Sequence, residues 1–90
     1  MTRRDTEESA FQCSDDVYDM KILHDAIVCG LRNGTVEIWN RKTLKKEFSL
    51  EDQNGSVQVD ANDKIVVGVS SDSTVCVWDR SDGHLKGIMR

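Results

Sequence analysis

Two stretches of the chain decide its fold: Gly30-Leu31-Arg32-Asn33-Gly34-Thr35-Val36-Glu37-Ile38-Trp39-Asn40 and Ser70-Ser71-Asp72-Ser73-Thr74-Val75-Cys76-Val77-Trp78-Asp79. Each stretch has a polar turn, then a short run that is largely apolar, then a tryptophan. Trp78 lies 39 residues after Trp39, and the same offset places Val28 on Val67 without a gap. Self-similarity at a fixed period near 40 residues indicates a repeat architecture, so the chain contains two copies of one structural unit.

Each unit contains four short apolar or alternating runs separated by turn residues, and neither unit shows helical periodicity. Such runs predict β-strands joined by hairpins. Asn33-Gly34 predicts a type I′ hairpin, because both residues tolerate positive φ, and Asp72-Ser73 takes the same place in the second unit. The expected fold class is all-β, with two consecutive four-stranded antiparallel sheets. The predicted strands are Val17–Ile22, Ala26–Arg32, Thr35–Asn40 and Leu44–Leu50, then Val57–Ala61, Ile65–Ser70, Thr74–Arg80 and Leu85–Met89.

The first sixteen residues differ in composition from the two repeats, because they are acidic and poor in apolar side chains. Such a segment cannot bury enough surface to offset the entropy of ordering, so a disordered tail is predicted. Within it, Phe11 and Cys13 alternate with polar residues and could add a short outer strand. The expected organisation is a tail over 1–16, one repeat over 17–54 and a second repeat over 55–90.

Composition and charge argue against several functions. The chain has 38% hydrophobic residues, 31% charged residues and a net charge of -4, which is typical of a soluble protein. No apolar run approaches the roughly 20 residues of a membrane-spanning helix. The chain is acidic, and its one basic cluster, at Arg41, Lys42, Lys45 and Lys46, is interrupted and fits a solvated turn and edge strand, so the chain is poorly suited to binding nucleic acid. We expect no membrane or nucleic-acid partner, a mature chain that begins near Met1, and a location in the cytoplasm, the nucleus or both.

The reactive residues do not form a pattern that indicates catalysis. Cys13, Cys29 and Cys76 are odd in number and have no CxxC spacing, so reduced thiols are expected. No pair that they form with His24 or His84 has the spacing of zinc ligands. Nucleophiles and acid pairs at usable spacing are also missing. The chain is therefore expected to be neither an enzyme nor a carrier of a metal or cofactor.

The two stretches quoted first resemble WD40 repeats, units of about 40 residues that form the four-stranded blades of a β-propeller. Neither unit has the family's Gly-His dipeptide before its first strand, because residues 13–16 and 51–54 stand there instead. The family's buried His-Ser-Asp-Trp network is therefore expected to be incomplete. The resemblance implies structural roles for Asp72, Trp39 and Trp78, with the two indoles packed between blades.

A finer resemblance lies within that family. The sequence is similar to the opening blades of the beta-transducin repeat-containing F-box proteins, which are substrate receptors of cullin-based ubiquitin ligases. The similarity rests on Val17-Tyr18, Cys29-Gly30-Leu31-Arg32, Gly55-Ser56-Val57 and Ser70-Ser71-Asp72-Ser73-Thr74-Val75. It implies binding of a doubly phosphorylated Asp-Ser-Gly degron by Tyr18, Arg32, Ser56 and Ser71.

Strand order favours the same grouping. In an antiparallel sheet the start of the first strand and the end of the second lie at one edge, so Tyr18 meets Arg32, and Ser56 meets Ser71. A guanidinium binds phosphate through two charge-assisted hydrogen bonds, and hydroxyls add single donors. Taken singly, each of these residues also fits a solvated turn or edge position.

Two blades cannot close a propeller, which needs about four to eight. Apolar side chains such as Val36, Ile38, Val75 and Val77 are therefore expected on open sheet faces, and open apolar faces favour self-association or pairing with other propeller repeats. F-box helices are not found in the sequence. Two functions stay open: a protein-interaction module that binds a phosphodegron, and a truncated WD40 fragment that acts only as a structural or self-associating scaffold.

Overall fold

The computed structural model describes residues 12–90, which form two four-stranded antiparallel sheets, here called blade 1 and blade 2. Within each blade the strands are hydrogen-bonded in chain order, and the two sheets do not close into a ring. The predicted fold class is confirmed. Across residues 12–90 no helix is long and apolar enough to cross a membrane. The strands are β1 (Val17–Ile22), β2 (Ala26–Leu31), β3 (Val36–Asn40), β4 (Lys46–Leu50), β5 (Val57–Ala61), β6 (Ile65–Ser70), β7 (Val75–Asp79) and β8 (Leu85–Met89).

The turns between β2 and β3 and between β6 and β7 share one geometry, and it is not the predicted type I′ turn. Only the third loop residue has a positive φ, at Gly34 (97°) and Ser73 (72°). The Gly34 N–H donates to the Leu31 carbonyl at 3.3 Å, and the Leu31 N–H donates to the Thr35 carbonyl at 2.9 Å. These bonds belong to a three-residue loop that ends in one left-handed residue. The prediction was wrong because it counted two loop residues instead of three.

Five predicted strand ends lie just outside the observed strands. They are Arg32, Thr35, Leu44, Thr74 and Arg80. Leu44 has a φ of 59°, and its N–H donates to the Asn40 carbonyl at 2.8 Å. A left-handed residue cannot continue a strand, so the turn after β3 extends through Leu44 and β4 begins later than predicted.

The hydrophobic core lies between the blades, where one face of each sheet packs against the other. Burying a large apolar side chain contributes about 1.5–3 kcal/mol, so this joint is the main source of stability. Val36 and Ile38 are fully buried there, so the prediction that they lie on an open face is wrong. They lie on the face that blade 2 covers, whereas Val75 and Val77 are half-buried on the far face of blade 2. The core comprises Ala26, Val28, Val36, Ile38, Leu50, Val57, Val66, Cys76 and Trp78.

Strands β1 and β2 approach β5 closely at the joint. The Asp19 carboxylate accepts the Val59 N–H at 2.9 Å, so a side chain of blade 1 satisfies a backbone donor of blade 2. A Cβ atom added to Gly30 would overlap the carbonyl oxygen of Val57. Glycine at this position is therefore what lets the two backbones come together.

Residues 12–16, the end of the predicted tail, pack against blade 1. The Ser14 hydroxyl donates to the Glu37 carboxylate at 2.7 Å, and the Asp16 carbonyl accepts the Arg32 N–H at 2.9 Å. Cys13 lies outside any strand. The rest of the predicted tail, with Phe11 of the suggested outer strand, lies outside the described residues.

Candidate functional site

Tyr18 is exposed because the first strand carries a β-bulge at this residue. Val17 pairs with Leu31 and Asp19 pairs with Gly30, so Tyr18 has no cross-strand partner. The equivalent strand of blade 2 pairs without a bulge through this region. Bulges redirect side chains and are frequent near binding sites. Here the bulge leaves the phenol 47% exposed at one end of blade 1.

Arg32 meets Tyr18 at this end of the blade. It is the first residue after β2, and its N–H donates to the Asp16 carbonyl at 2.9 Å, which extends the ladder by one step. Its guanidinium carbon lies 5.6 Å from the centre of the Tyr18 ring, within the range of a cation–π contact. The side chain is exposed, so the contact orients the guanidinium without withdrawing it from solvent.

Ser56 and Ser71 occupy the corresponding end of blade 2. The Ser71 N–H donates to the Ser56 carbonyl at 2.9 Å. Ser71 is exposed and Ser56 is half-buried. A Cβ atom on Gly55 would overlap the Ser71 hydroxyl, so the absence of a side chain at Gly55 makes room for that hydroxyl.

The joint holds the two pairs on the same end of the molecule. Gly34 lies two residues after Arg32 in the turn, and Gln53 lies three residues before Ser56. A Cβ atom added to Gly34 would overlap the carbonyl oxygen of Gln53. The two loops are therefore in contact. Among the described residues no hydrogen bond joins the side chains of Tyr18 or Arg32 to those of Ser56 or Ser71. The predicted site thus consists of two separate pairs that share one edge.

Asp72 organises the turn that carries Ser71. Its carboxylate accepts a short hydrogen bond from the Ser70 hydroxyl and accepts the Thr74 N–H at 3.0 Å. The hydrogen bond from Ser70, followed by those from Thr74, lowers the pKa of Asp72 below its usual range. The turn of blade 2 is therefore held by a carboxylate that stays ionised at neutral pH.

The two indoles of the repeats find their carboxylate partners in different places. The Trp39 indole N–H donates to Glu37 at 3.1 Å within its own strand, whereas that of Trp78 donates to Asp52 at 2.8 Å in the segment before β5. Gln53 is buried, and its amide donates to the Gly68 and Thr74 carbonyls at 3.0 and 2.8 Å. These contacts lie where the resemblance to WD40 repeats predicts an incomplete network.

The sequence prediction missed Glu37, Asp52 and Gln53. Asp52 and Gln53 belong to the segment 51–54 that stands in place of the Gly-His dipeptide, and the sequence alone assigns this segment no contacts. Glu37 is a charged residue in an otherwise apolar strand stretch, and that was the available signal. Its side chain is fully buried, with the Lys46 ammonium at 3.3 Å.

The opposite end of the joint has a different chemistry. Arg80 pairs with Asp25 at 2.9 Å, and Lys21 pairs with Asp60 at 3.5 Å. A shallow groove of about 590 Å³ lies there, and Lys64 is among the residues that line it. It contains none of the four predicted site residues.

The described residues 12–90 contain no group of side chains arranged to bind a metal ion, and their cysteines are not arranged as reactive thiols. Across residues 12–90 no three His, Cys, Asp or Glu side chains are placed to hold a metal ion. Cys13, Cys29 and Cys76 are free thiols. Burial raises the pKa of each of them, so little thiolate is present at neutral pH.

Comparison with known proteins identifies the fold. No family model matches the sequence, and no curated protein is a significant match. The chain is similar in structure to the β-propeller domain of Cps50 (Swd1) from Myceliophteria thermophila, with a TM-score of 0.81, 19% identity, and coverage of 88% of this chain. The aligned region spans 27% of that longer chain. The two sheets therefore have the fold of β-propeller blades. The similarity to F-box proteins receives no support from these comparisons.

Proposed function

We propose that this chain is a protein-interaction module that binds a phosphorylated peptide across the end of the two blades. The observation that carries the proposal is the exposed Arg32 guanidinium, held over the Tyr18 ring at 5.6 Å, where a β-bulge presents the tyrosine. Propeller blades present their loops and strand ends as binding surfaces. A strand irregularity that orients a cation there supports a binding role more than a structural one.

The chemistry of the four residues suits a phosphate followed by further polar groups. Arg32 can grip a phosphate with two parallel hydrogen bonds, which are stronger than bonds between neutral groups. The hydroxyls of Ser56 and Ser71 lie on the neighbouring blade and offer single donors. A peptide that engages both pairs would run from blade 1 to blade 2 across the contact between the Gly34 turn and the segment before β5.

The finer part of the proposal concerns the peptide. The resemblance to the F-box receptors suggests a doubly phosphorylated Asp-Ser-Gly degron, and hence a role in a ubiquitin-ligase pathway. The net charge of -4 opposes long-range attraction of such a peptide. Binding would then depend on short-range contacts, with Arg32 as the charged one among the four.

A titration tests the proposal. The full chain is titrated with a fluorescent doubly phosphorylated Asp-Ser-Gly peptide and with its unphosphorylated twin. We expect binding of the phosphorylated peptide alone. Arg32→Ala should weaken it by about 10-fold or more, since a charge-assisted hydrogen bond contributes about 1.5–3 kcal/mol.

Lys45→Ala is the matched control, because Lys45 is an exposed cation in the turn between β3 and β4, away from the four site residues. It should leave binding unchanged. Equal loss in Arg32→Ala and Lys45→Ala would indicate nonspecific attraction of the peptide. Equal binding of the two peptides would rule out phosphate recognition.

A further inference from the structure

The outer face of blade 2, the face turned away from blade 1, is a largely apolar surface that no strand of residues 12–90 packs over. Val69 is 39% exposed and Met89 is 64% exposed, and the other members are half-buried. Cross-strand pairs such as Val67 with Val77 and Val75 with Met89 place these side chains on one side of the sheet. The apolar part of the outer face comprises Ile65, Val67, Val69, Val75, Val77 and Met89, and the register places Gln58, Asp60 and Asp79 at its border.

The internal repeat shows what this face corresponds to. With the offset of 39 residues, Val75 and Val77 are the counterparts of Val36 and Ile38. Those two residues are buried in the joint between the blades. The outer face of blade 2 is therefore built like a surface that another sheet covers.

Two positions distinguish it from the covered face of blade 1. Gly30 and Gly34 lie where an added Cβ atom would overlap carbonyl oxygens of Val57 and Gln53 in the next blade. Their counterparts in blade 2 are Val69 and Ser73, which carry side chains. A further blade cannot approach blade 2 as closely as blade 2 approaches blade 1. The face suits a sheet that packs over its side chains at about 10 Å.

The outer face of blade 1 does not offer such a sheet. Cys29, Leu31 and Glu37 lie on it and are fully buried, and Trp39 is 8% exposed. Ser14 and Lys46 contact the Glu37 carboxylate there. Exposed apolar side chains on this face of blade 1 are confined to its first strand, at Met20 and Ile22. Among residues 12–90, the face whose two central strands leave apolar side chains uncovered is therefore that of blade 2.

We propose that the outer face of blade 2 is a self-association surface that packs against the same face of a second copy in a two-fold dimer. An interface that uses one patch on both subunits closes at two chains and does not extend into a filament. Four strands of five or six residues cover a face of roughly 17–20 Å by 19 Å. The buried total of about 700 Å² lies in the range of weak, transient interfaces.

The net charge of the chain determines how dimerisation should depend on the salt concentration. Each chain carries a net charge of -4. The centre of the proposed contact is apolar, and the charged groups at its border, Asp60 and Asp79, are both acidic. Added salt screens the repulsion between the chains and does not weaken apolar burial. Dimerisation should therefore strengthen as the salt concentration rises, unlike an association held by ion pairs.

Sedimentation equilibrium of the full chain tests the proposal, from about 10 μM to 1 mM, a range that brackets weak dimers. The expected result is a monomer–dimer equilibrium without larger species, stronger at high salt. Val69→Lys, at an exposed position, should weaken the dimer at least 10-fold. Ile22→Lys is the matched control, because Ile22 is 58% exposed on β1 and lies outside the proposed surface. It should leave dimerisation unchanged.

A cross-link keeps the test decisive if the charged variant folds poorly. Val77 lies on a central strand of the outer face, so Val77→Cys in a Cys13→Ser background should form a dimer linked by a disulfide under oxidised glutathione. Ile22→Cys in the same background should not form this cross-linked dimer.

The proposal is overturned if the chain stays monomeric to 1 mM, if it grows beyond two copies, or if Ile22→Lys weakens association as much as Val69→Lys. A chain that stays monomeric would indicate that another propeller repeat, and not a second copy, covers the outer face of blade 2.

Discussion

The hydroxyl of Ser14 donates a 2.7 Å hydrogen bond to the fully buried carboxylate of Glu37, which also accepts the indole N–H of Trp39 at 3.1 Å. One side chain of β3 thereby fastens the segment before β1 to the blade. Burial alone would raise the pKa of Glu37, but the hydrogen bonds from Ser14 and Trp39 outweigh it and hold the pKa below its usual range.

Neutralising this carboxylate should destabilise the chain in a pH-dependent way. A lowered folded-state pKa contributes stability that is present above the ordinary glutamate pKa of about 4.3 and is lost as the pH falls through the folded-state value. Glu37→Gln should cost about 1–2 kcal/mol at pH 7 in urea unfolding. The difference from the unmodified chain should shrink at acid pH. A difference that does not change with pH would contradict the role of the charge.

Adding a methyl group at the joint should separate the blades. A Cβ atom at Gly30 would overlap the Val57 carbonyl, whereas one at Gly87 would meet no atom within 4 Å. Gly30→Ala should therefore lower the unfolding free energy by about 3 kcal/mol or more. Gly87→Ala should be neutral, or stabilise by up to about 1 kcal/mol. Thermal unfolding monitored by circular dichroism compares them, and equal effects would refute the close approach of β2 and β5.

The ring of Tyr18 should matter more than its hydroxyl for orienting Arg32. Tyr18→Phe keeps the cation–π contact and should change phosphopeptide affinity by less than about two-fold. Tyr18→Leu removes the contact, which is worth about 0.5–1 kcal/mol at an exposed site, and should weaken binding by about two- to five-fold. Neither change should alter stability by much, since the ring is about half exposed. If Tyr18→Phe loses as much affinity as Tyr18→Leu, the hydroxyl contacts the peptide directly.

The three thiols should resist alkylation while the chain is folded. Burial raises the pKa of Cys13, Cys29 and Cys76, and the thiolate is the reactive form. At about pH 8 iodoacetamide should label the folded chain at least 10-fold more slowly than the chain in urea. Mass spectrometry of timed samples measures each site. Rapid labelling of Cys13 in the folded chain would show that the segment at residues 12–16 is not held on the blade.

The sequence predicted the strands well because their signals are local. Alternating residues around Val57 and Ile65, and turn residues such as Asn62, each act within a few positions. The turn type at Asn33 was harder to predict. Its side chain accepts the Thr35 N–H, and of the two predicted left-handed residues only Gly34 has a positive φ. The preference of Asn-Gly for type I′ turns takes no account of this side-chain hydrogen bond.

Contacts between the blades could not be read from the sequence. Whether Val36 faces its neighbour or solvent depends on which side blade 2 packs, and alternation in one strand does not say which side that is. The carboxylate partners of the indoles were missed for the same reason, since Asp52 lies 26 residues from Trp78 along the chain. By contrast, the meeting of Tyr18 with Arg32 followed from strand order within one sheet.

The most direct test of the proposed function is an amide ¹H–¹⁵N NMR spectrum of the labelled chain, recorded with the doubly phosphorylated Asp-Ser-Gly peptide and with its unphosphorylated twin. We expect dispersed peaks, and shifts at Tyr18, Arg32, Ser56 and Ser71 with the phosphorylated peptide only. Shifts that appear equally with both peptides, or that cluster at the Lys21 and Lys64 end of the joint, would refute phosphopeptide binding at this site.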